Sequence, residues 1–370
     1  MGYKMVRIDK LGKVITGNTP SKNKKEYYNE ATTPFIKPNN FNAVSISSLS
    51  ESDEYLSHAG AKVGRLVEEG AVLVTCIGTI GSVGIANKEI CFNQQINAVV
   101  PNEGIVNNRY LAYAIIKRRE QLKAIANAPV VPIINKTQFS AFEIPLPPLE
   151  TQKKIVEVLN KAQRLIDARK EQIRLMDELI QSVFYEMFSD PVTNPNEIHQ
   201  VPLGELCNLK AGKFIQAAQI SDLYEDNMYP CYGGNGLRGY VKEYTHDGSY
   251  PLIGRQGALC GNVQFAKGKF YATEHAIVTQ PTVELDTIWL YVMLREMNLN
   301  RLATGAAQPG LNVSTLVSLQ VIYPSINSQV EFANKFKEIE IQKALLKKSL
   351  LEIENNYYGL MQKAFSGKLF

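Results

Sequence analysis

Residues 149–188, LETQKKIVEVLNKAQRLIDARKEQIRLMDELIQSVFYEMF, decide how this chain of 370 residues is built. Apolar side chains recur at alternating steps of four and three: Ile155, Leu159, Ala162 and Ile166, then Ile173, Met176, Ile180, Val183 and Met187. Arg169 is the one charge in the series. That alternation keeps a stripe on one side of a helix and predicts a coiled-coil seam. Neither proline nor glycine interrupts the run, and Pro147 and Pro148 stand just ahead of it, where a missing amide proton costs nothing. At about 1.5 Å per residue the helix would span roughly 60 Å, more than a globular core needs.

The C-terminal region repeats the spacing. Phe332, Phe336, Ile339, Lys343, Leu346, Leu350, Ile353, Tyr357, Leu360 and Ala364 form a second series, again with one charge, Lys343. Two such series predict a tandem of two units, each a globular part followed by a long helix. The expected fold class is α+β: two mixed, strand-rich globular domains separated by a long antiparallel two-helix coiled coil, with an internal pseudo-twofold repeat. The expected boundaries are 1–146 and 191–322 for the globular domains, 147–190 for a central helical spacer and 323–370 for its C-terminal partner. Ile155, Leu159, Ile166, Ile173 and Ile180 would face Phe336, Ile339, Leu346, Leu350 and Ile353, with Arg169 and Lys343 fixing register. Val158, Leu165 and Leu179 make a second stripe, which packs either on the globular domains or on helices of partner subunits.

Composition narrows the class. Hydrophobic residues make up 45% of the chain, and no apolar run nears the roughly 20 residues of a membrane span. The N-terminal residues lack a secretory signal's apolar segment, and the cysteines Cys76, Cys91, Cys207, Cys231 and Cys260 form no close pairs, so a reducing cytoplasm is expected. A net charge of +4 is small for a protein that grips nucleic acid unaided. Either nucleic acid is not the ligand, or other subunits supply much of the attraction.

Outside the helices the two globular parts share scaffold residues. Gly78 and Gly81 are expected to correspond to Gly254 and Gly257, Asn97 to His275, Pro132 and Asn135 to Pro309 and Asn312, and Pro147 and Gln152 to Pro324 and Gln329. Polar tips differ: Gly78-Thr79-Ile80-Gly81 would face Gly254-Arg255-Gln256-Gly257. One scaffold with two sets of tips suits a reader of two targets. A single helix is expected over 108–126, with Lys117, Arg118 and Arg119 on its solvated face.

Catalytic patterns are missing. There is no Asn/Asp-Pro-Pro-Tyr/Phe for amino methylation, no G-x-x-x-x-G-K-S/T and no G-x-S-x-G. His58, His199, His246 and His275 are scattered, without metal-ligand spacing.

Glu143-Ile144-Pro145-Leu146-Pro147-Pro148-Leu149-Glu150-Thr151-Gln152, a strand-proline-helix junction, resembles that of the specificity subunits of type I restriction-modification systems. Gly17-Asn18-Thr19-Pro20-Ser21 is similar to the family's glycine-x-threonine-proline-serine loop, and 175–182 to its central conserved region. Tyr232-Gly233-Gly234-Asn235-Gly236, with 253–258 and 271–276, resembles one class of its target recognition domains. The second junction, Ile322-Tyr323-Pro324-Ser325, departs in having a single proline. The resemblance implies a subunit without an active site of its own. Each domain would read half of a split double-stranded DNA sequence, and the paired helices would set the gap. Two modification subunits would methylate adenine with S-adenosylmethionine, and restriction subunits would add ATP- and Mg-dependent translocation and cutting.

Base reading needs paired donors and acceptors, arginine for guanine and asparagine or glutamine for adenine. In the first domain Thr19, Ser21, Lys22, Lys37, Asn39, Asn40, Gln94 and Lys136 are the candidates. In the second they are Lys213, Asn235, Arg238, Arg255, Gln256, His275, Gln308 and Asn312. Arg255-Gln256 would sit on an exposed turn. Bland readings stand beside these: Asn235, Gln308 and Asn312 as turn residues, His275 as a satisfied core histidine. Two further functions stay open, a coiled-coil scaffold binding peptides or small ligands, and an enzyme whose motifs are not recognisable.

Overall fold

The computed structural model describes residues 3–126, 132–257, 259–305 and 310–370, and the chain divides into two compact units. The first takes in Met1–Ala168 and Ser349–Phe370, the second Arg169–Lys348. Both are mixed α+β.

In the first unit, strands β1 (Met5–Arg7), β2 (Gly12–Thr16), β3 (Thr33–Ile36), β4 (Ser47–Leu49), β5 (Tyr55–Leu56), β6 (Leu66–Val67), β7 (Val72–Thr75), β8 (Val83–Ala86), β9 (Ile90–Phe92) and β10 (Ile96–Pro101) precede helix α1 (Asn108–Lys117) and strand β11 (Glu143–Pro145). A five-stranded sheet has the order β2-β10-β7-β8-β4, and a four-stranded sheet the order β5-β3-β9-β6. Strand β7, Val-Leu-Val-Thr, is buried throughout, which explains its unbroken apolar run. Helix α1 starts where the Asn107 side chain accepts from the Tyr110 amide at 3.1 Å, and it buries Tyr110 through Ile115. The expected single helix over 108–126 is broken at Arg118, between α1 and a short helix at Arg119–Ala124.

The basic trio there is a solvated face only in part, since Lys117 is exposed while Arg118 and Arg119 are half-buried. Lys117 bonds the Gln362 side chain, Arg118 lies 5.6 Å over the Phe142 ring, and half-buried Arg119 donates to the carbonyls of Gly81 (2.7 Å) and Ala43. Long cationic side chains bury their stems wherever carbonyls can take the head group. A helical pattern read one face at a time misses this.

The second unit holds β12 (Gln200–Pro202), β13 (Cys207–Ala211), β14 (Tyr229–Gly233), β15 (Gly236–Val241), β16 (His246–Gly254), β17 (Val263–Ala272), β18 (Ala276–Pro281) and β19 (Gln320–Ile322). Its sheet order is β13-β18-β16-β17-β14-β15, packed against Trp289, Leu290, Val292 and Met293. Those four belong to a short helix at Thr287–Glu296 that Asp286 caps.

The two runs read as long helices are helical over Leu149–Phe188 and Ile326–Phe365. In the first unit Ile155 and Leu159 are buried in one core with Met361 and Ala364, flanked by Tyr357, Leu360 and Phe365, and Ile166 is buried as well. In the second, Ile180, Phe184 and Phe188 share a core with Phe332, and Phe336 and Ile339 are half-buried beside it. Ile173, Leu346, Leu350 and Ile353 are also half-buried, as expected where no globular core adds cover. Lys343, 12% exposed, pairs with Asp177 and lies 3.3 Å from Glu340. Burial works against its charge, but its hydrogen bond to Asp177 and the field of Glu340 leave its pKa raised.

All five thiols are buried and unpaired. Burial pushes Cys76 up to about 11 and both Cys91 and Cys207 up to about 12. Alkylation by iodoacetamide at pH 8 should therefore be negligible in the native chain and complete after denaturation, as counted by intact mass. Rapid labelling of the native protein at any of these three would contradict the burial.

Candidate nucleic-acid interface

In each unit four connections are tied together where antiparallel neighbours and a parallel pair terminate, in the first unit at the ends of strands from both sheets. In the first unit they are 17–22 after β2, 37–40 after β3, 76–81 after β7 and 93–95 between β9 and β10. In the second they are 212–215, 233–235, 255–261 and 273–275. Matching backbone bonds tie them together. The amide of Gly17 donates to Ile96 (3.1 Å) as Gly212 does to Ala276 (3.0 Å), and Asn18 to Phe92 (3.1 Å) as Lys213 to Ala272 (2.9 Å). Cys76 donates to Gln95 (2.8 Å) as Arg255 to His275 (2.9 Å), and Asn93 to Ile36 (3.1 Å) as Thr273 to Tyr232 (2.9 Å). At Gly17 and Gly212 a Cβ would lie 2.1 Å from a carbonyl oxygen, that of Asn93 and of Ala272 respectively, so the approach requires glycine.

These bonds correct the expected correspondence. Gly78 matches Gly257, both at positive φ, and Gly81 matches Gly261, since the Gly81 amide donates to Thr75 as Gly261 does to Gly254. His275 therefore corresponds to Gln95. Asn97 lies within β10, buried, with Thr16 donating to it at 2.6 Å and its own amide 3.1 Å from the Cys76 sulfur. From Asn135 and Asn312 onward the expected pairing holds, as Ile134 donates to Cys76 and Leu311 to Arg255.

Within the second unit Gly233, Gly234, Asn235, Arg238, Gln256, Gly257 and His275 line an open cavity of about 400 Å³. Asn235, Arg238, Gln256 and His275, chosen separately from sequence, are thus brought together. Arg255 is not with them. It is half-buried, its amide donating to His275 and its carbonyl accepting from Leu311, while Gln256 is exposed. Lys213 is exposed next to the 272–276 segment, and Asn312 is exposed ahead of a short helix. Gln308 lies outside the described residues.

Two residues here went unnoticed in the sequence. The His275 ring lies 3.2 Å from one Glu274 carboxylate oxygen, while the other oxygen is buried without a hydrogen-bond partner among the described residues. Phe214, whose carbonyl accepts from the Tyr271 hydroxyl at 3.1 Å, leaves its ring 71% exposed. An aromatic beside Lys213 was the available signal, but exposure could not be read from it.

The first unit presents different chemistry at matching places. Thr19, the counterpart of Phe214, donates to Gln94 at 2.6 Å, and Asn39, the counterpart of Asn235, donates to Asp53 at 3.2 Å. Asn40 turns inward, accepting from the Lys37 amide at 2.8 Å. Lys37 pairs with Glu54, which Lys22 approaches to 3.7 Å, and the Lys37 hydrogen bond holds Glu54 below the usual carboxylate range. Ser21 and Lys136 are exposed, and Lys136 opens a short helix two residues after Ile134, whose amide donates to Cys76. Such an array offers hydrogen-bond donors and acceptors to a polar surface. Among the described residues no group of His, Cys, Asp and Glu is arranged to hold a metal, and no helix is long and apolar enough to cross a membrane.

Comparison with known proteins agrees with this duplicated plan. The family model described as "Type I restriction modification DNA specificity domain" matches residues 1–175 and 195–355. The type I restriction enzyme EcoprrI specificity subunit of Escherichia coli is 33% identical over 341 residues, covering 88% of this chain and 84% of that protein. The MjaIX specificity subunit of Methanocaldococcus jannaschii is 29% identical over 188 residues, half of this chain and 43% of its own length. Among solved structures, the S subunit of the type I system from M. genitalium superposes with a TM-score of 0.60 at 17% identity, covering 99% of this chain and 96% of that one. A chain from a structure of a type I R-M system's assembly superposes with a TM-score of 0.64, also at 17% identity, covering 100% of this chain and 98% of that one.

Proposed function

Because the chain belongs to the type I restriction-modification specificity subunit family, we propose that each of its two four-loop ends reads one half of a bipartite DNA site. The observation that carries this reading is the pair of sheet ends held by the same backbone bonds and furnished with different polar side chains. The proposed target recognition domains are 1–146 and 191–322, with helical spacers at 147–190 and 323–370. The two long helices are read as an antiparallel coiled coil relating the copies by a pseudo-twofold. In support, Phe184 and Phe188 pack on Phe332 while Asp177 reaches Lys343, so position falls on one helix as it rises on the other.

The subunit itself is non-catalytic. Adenine methylation with S-adenosylmethionine, and ATP- and Mg-dependent cutting, are assigned to two modification subunits and to restriction subunits. The helical spacers are proposed to dock the modification subunits, and Leu165 (59% exposed) and Leu179 (42% exposed) suit that role better than half-buried Val158. The modest net charge fits a subunit that shares its DNA with others.

The test is footprinting of the complex with its modification subunits, which should protect two half-sites about one helical turn apart. Inserting one heptad into each long helix should widen the gap by about three base pairs, at ~1.5 Å per residue and ~3.4 Å per base step, with both half-sites unchanged. A continuous protected site, or altered half-sites at an unaltered gap, would refute the reading.

A further inference from the structure

Among the described residues Arg238 holds the one guanidinium lining the second unit's cavity, and its setting is particular. The aliphatic stem lies over Gly233, where a Cβ would come within 2.6 Å of the Arg238 Cδ, so glycine makes the seat. No ion pair or hydrogen bond to its side chain is found among the described residues. Glu274, one of whose carboxylate oxygens lies 3.2 Å from the His275 ring, makes no ion pair with Arg238 among the described residues. In the first unit the position matching Gly233 is Lys37, and its charge is met by Glu54. The second unit thus keeps an unpaired planar cation beside the two amides Asn235 and Gln256, where the first keeps a neutralised one.

We propose that Arg238 reads a guanine, so that the half-site taken by the second domain contains a G·C pair contacted from the major groove. This rests on the DNA-reading function proposed above. A guanidinium fork matches the O6 and N7 acceptors of guanine, while amides match the N6 donor and N7 acceptor of adenine. Freedom from an internal acid leaves both fork nitrogens available to the base.

The experiment uses the complex with modification subunits. Methylated motifs are mapped by single-molecule sequencing for the native chain, for R238A and for R238K. Binding is then measured on DNA carrying 7-deazaguanine at each guanine of the second half-site. The native complex should lose affinity at one guanine, by less than the roughly 5- to 150-fold of a whole bidentate contact because O6 remains. R238A should be indifferent to the substitution there and should accept other bases at that position alone, with the first half-site and the gap unchanged. R238K, which keeps the charge without the fork, should lose most of the guanine preference, and it decides the matter if R238A does not fold. A second half-site without guanine overturns the proposal. So does an arginine loss that weakens all sequences evenly and lowers the salt dependence, the mark of a phosphate contact. Either result leaves the two-half-site function standing. A native complex with no bipartite motif removes that function instead.

Discussion

Replacing Phe332 by alanine should destabilise the second unit by about 3–5 kcal/mol, the range for deleting a fully buried phenyl ring. The ring is wholly inaccessible and sits edge-on to Phe184 at 5.4 Å and Phe188 at 5.8 Å, with Phe336 at 6.4 Å. Phe188 continues the packing to Trp289 at 6.3 Å, so one side chain joins the start of the C-terminal helix to the helix under the sheet. Aromatic pairs of this geometry add about 0.5–1.5 kcal/mol each beyond the area they bury. Native domains hold only about 5–15 kcal/mol, so the loss is a large fraction of what the unit has. Hydrogen exchange read by mass spectrometry should show lost protection in β13, β16 and β18 with β2, β7 and β10 protected as before. A change below about 1 kcal/mol, or an equal loss in both units, would mean that the cluster does not carry the second core.

How much of the fold and the site is legible in the sequence depends on the kind of residue. The long helices are plain because little besides a packed helix face places apolar residues at steps of four and three, and a single charge such as Lys343 is too rare to blur the stripe. Pro147 with Gln152 and Pro324 with Gln329 pair correctly, since no insertion falls between each proline and its glutamine. The loops are misaligned for the opposite reason. One more residue separates Gly257 from Gly261 than separates Gly78 from Gly81, and without backbone bonds a count between glycines slides to the wrong pair.

Orientation is the other hidden variable. Arg255 and Gln256 look equivalent in a string of letters, yet Arg255 is half-buried while Gln256 is exposed and lines the cavity. Arg119 reads as a surface charge, yet a carbonyl left open by Gly81 at φ 81° takes it inward. Gathering Asn235, Arg238, Gln256 and His275 into one cavity requires residue choice, which chemistry supplies, and convergence, which only the sheet can supply.

Replacing the buried glutamine at either helix start should be the most damaging polar change in each unit. The Gln152 side chain accepts from the Asn107 amide at 2.9 Å and donates to the carbonyls of Pro147 at 2.9 Å and Ile105 at 3.1 Å. Gln329 repeats the device, accepting from the Asp286 amide at 2.9 Å and donating to Pro324 at 2.9 Å. Both side chains are fully buried. Each pins the first turn of a long helix to the residue that caps or precedes a helix of the globular part, fixing the angle between them. Leucine fills similar volume but removes three hydrogen bonds at 152 and two at 329, at about 1–3 kcal/mol for each freed backbone group that water does not reach. Q152L should therefore cost about 3 kcal/mol or more, and Q329L somewhat less. In a unit of this size, with ~2–4 °C per kcal/mol, Q152L should lower the melting temperature by about 6–12 °C. Q152E separates packing from hydrogen bonding. Its carboxylate can still accept from Asn107 but meets two carbonyl oxygens, so the folded state should raise that group's pKa. Relative to the native chain, Q152E should then be most stable below the ordinary carboxyl range, where the protonated acid donates one bond, and should lose ground as pH rises through the raised value. A Q152E chain whose melting temperature follows the native pH profile, or a Q152L chain melting within about 2 °C of native, would show that these glutamines do not hold the junctions.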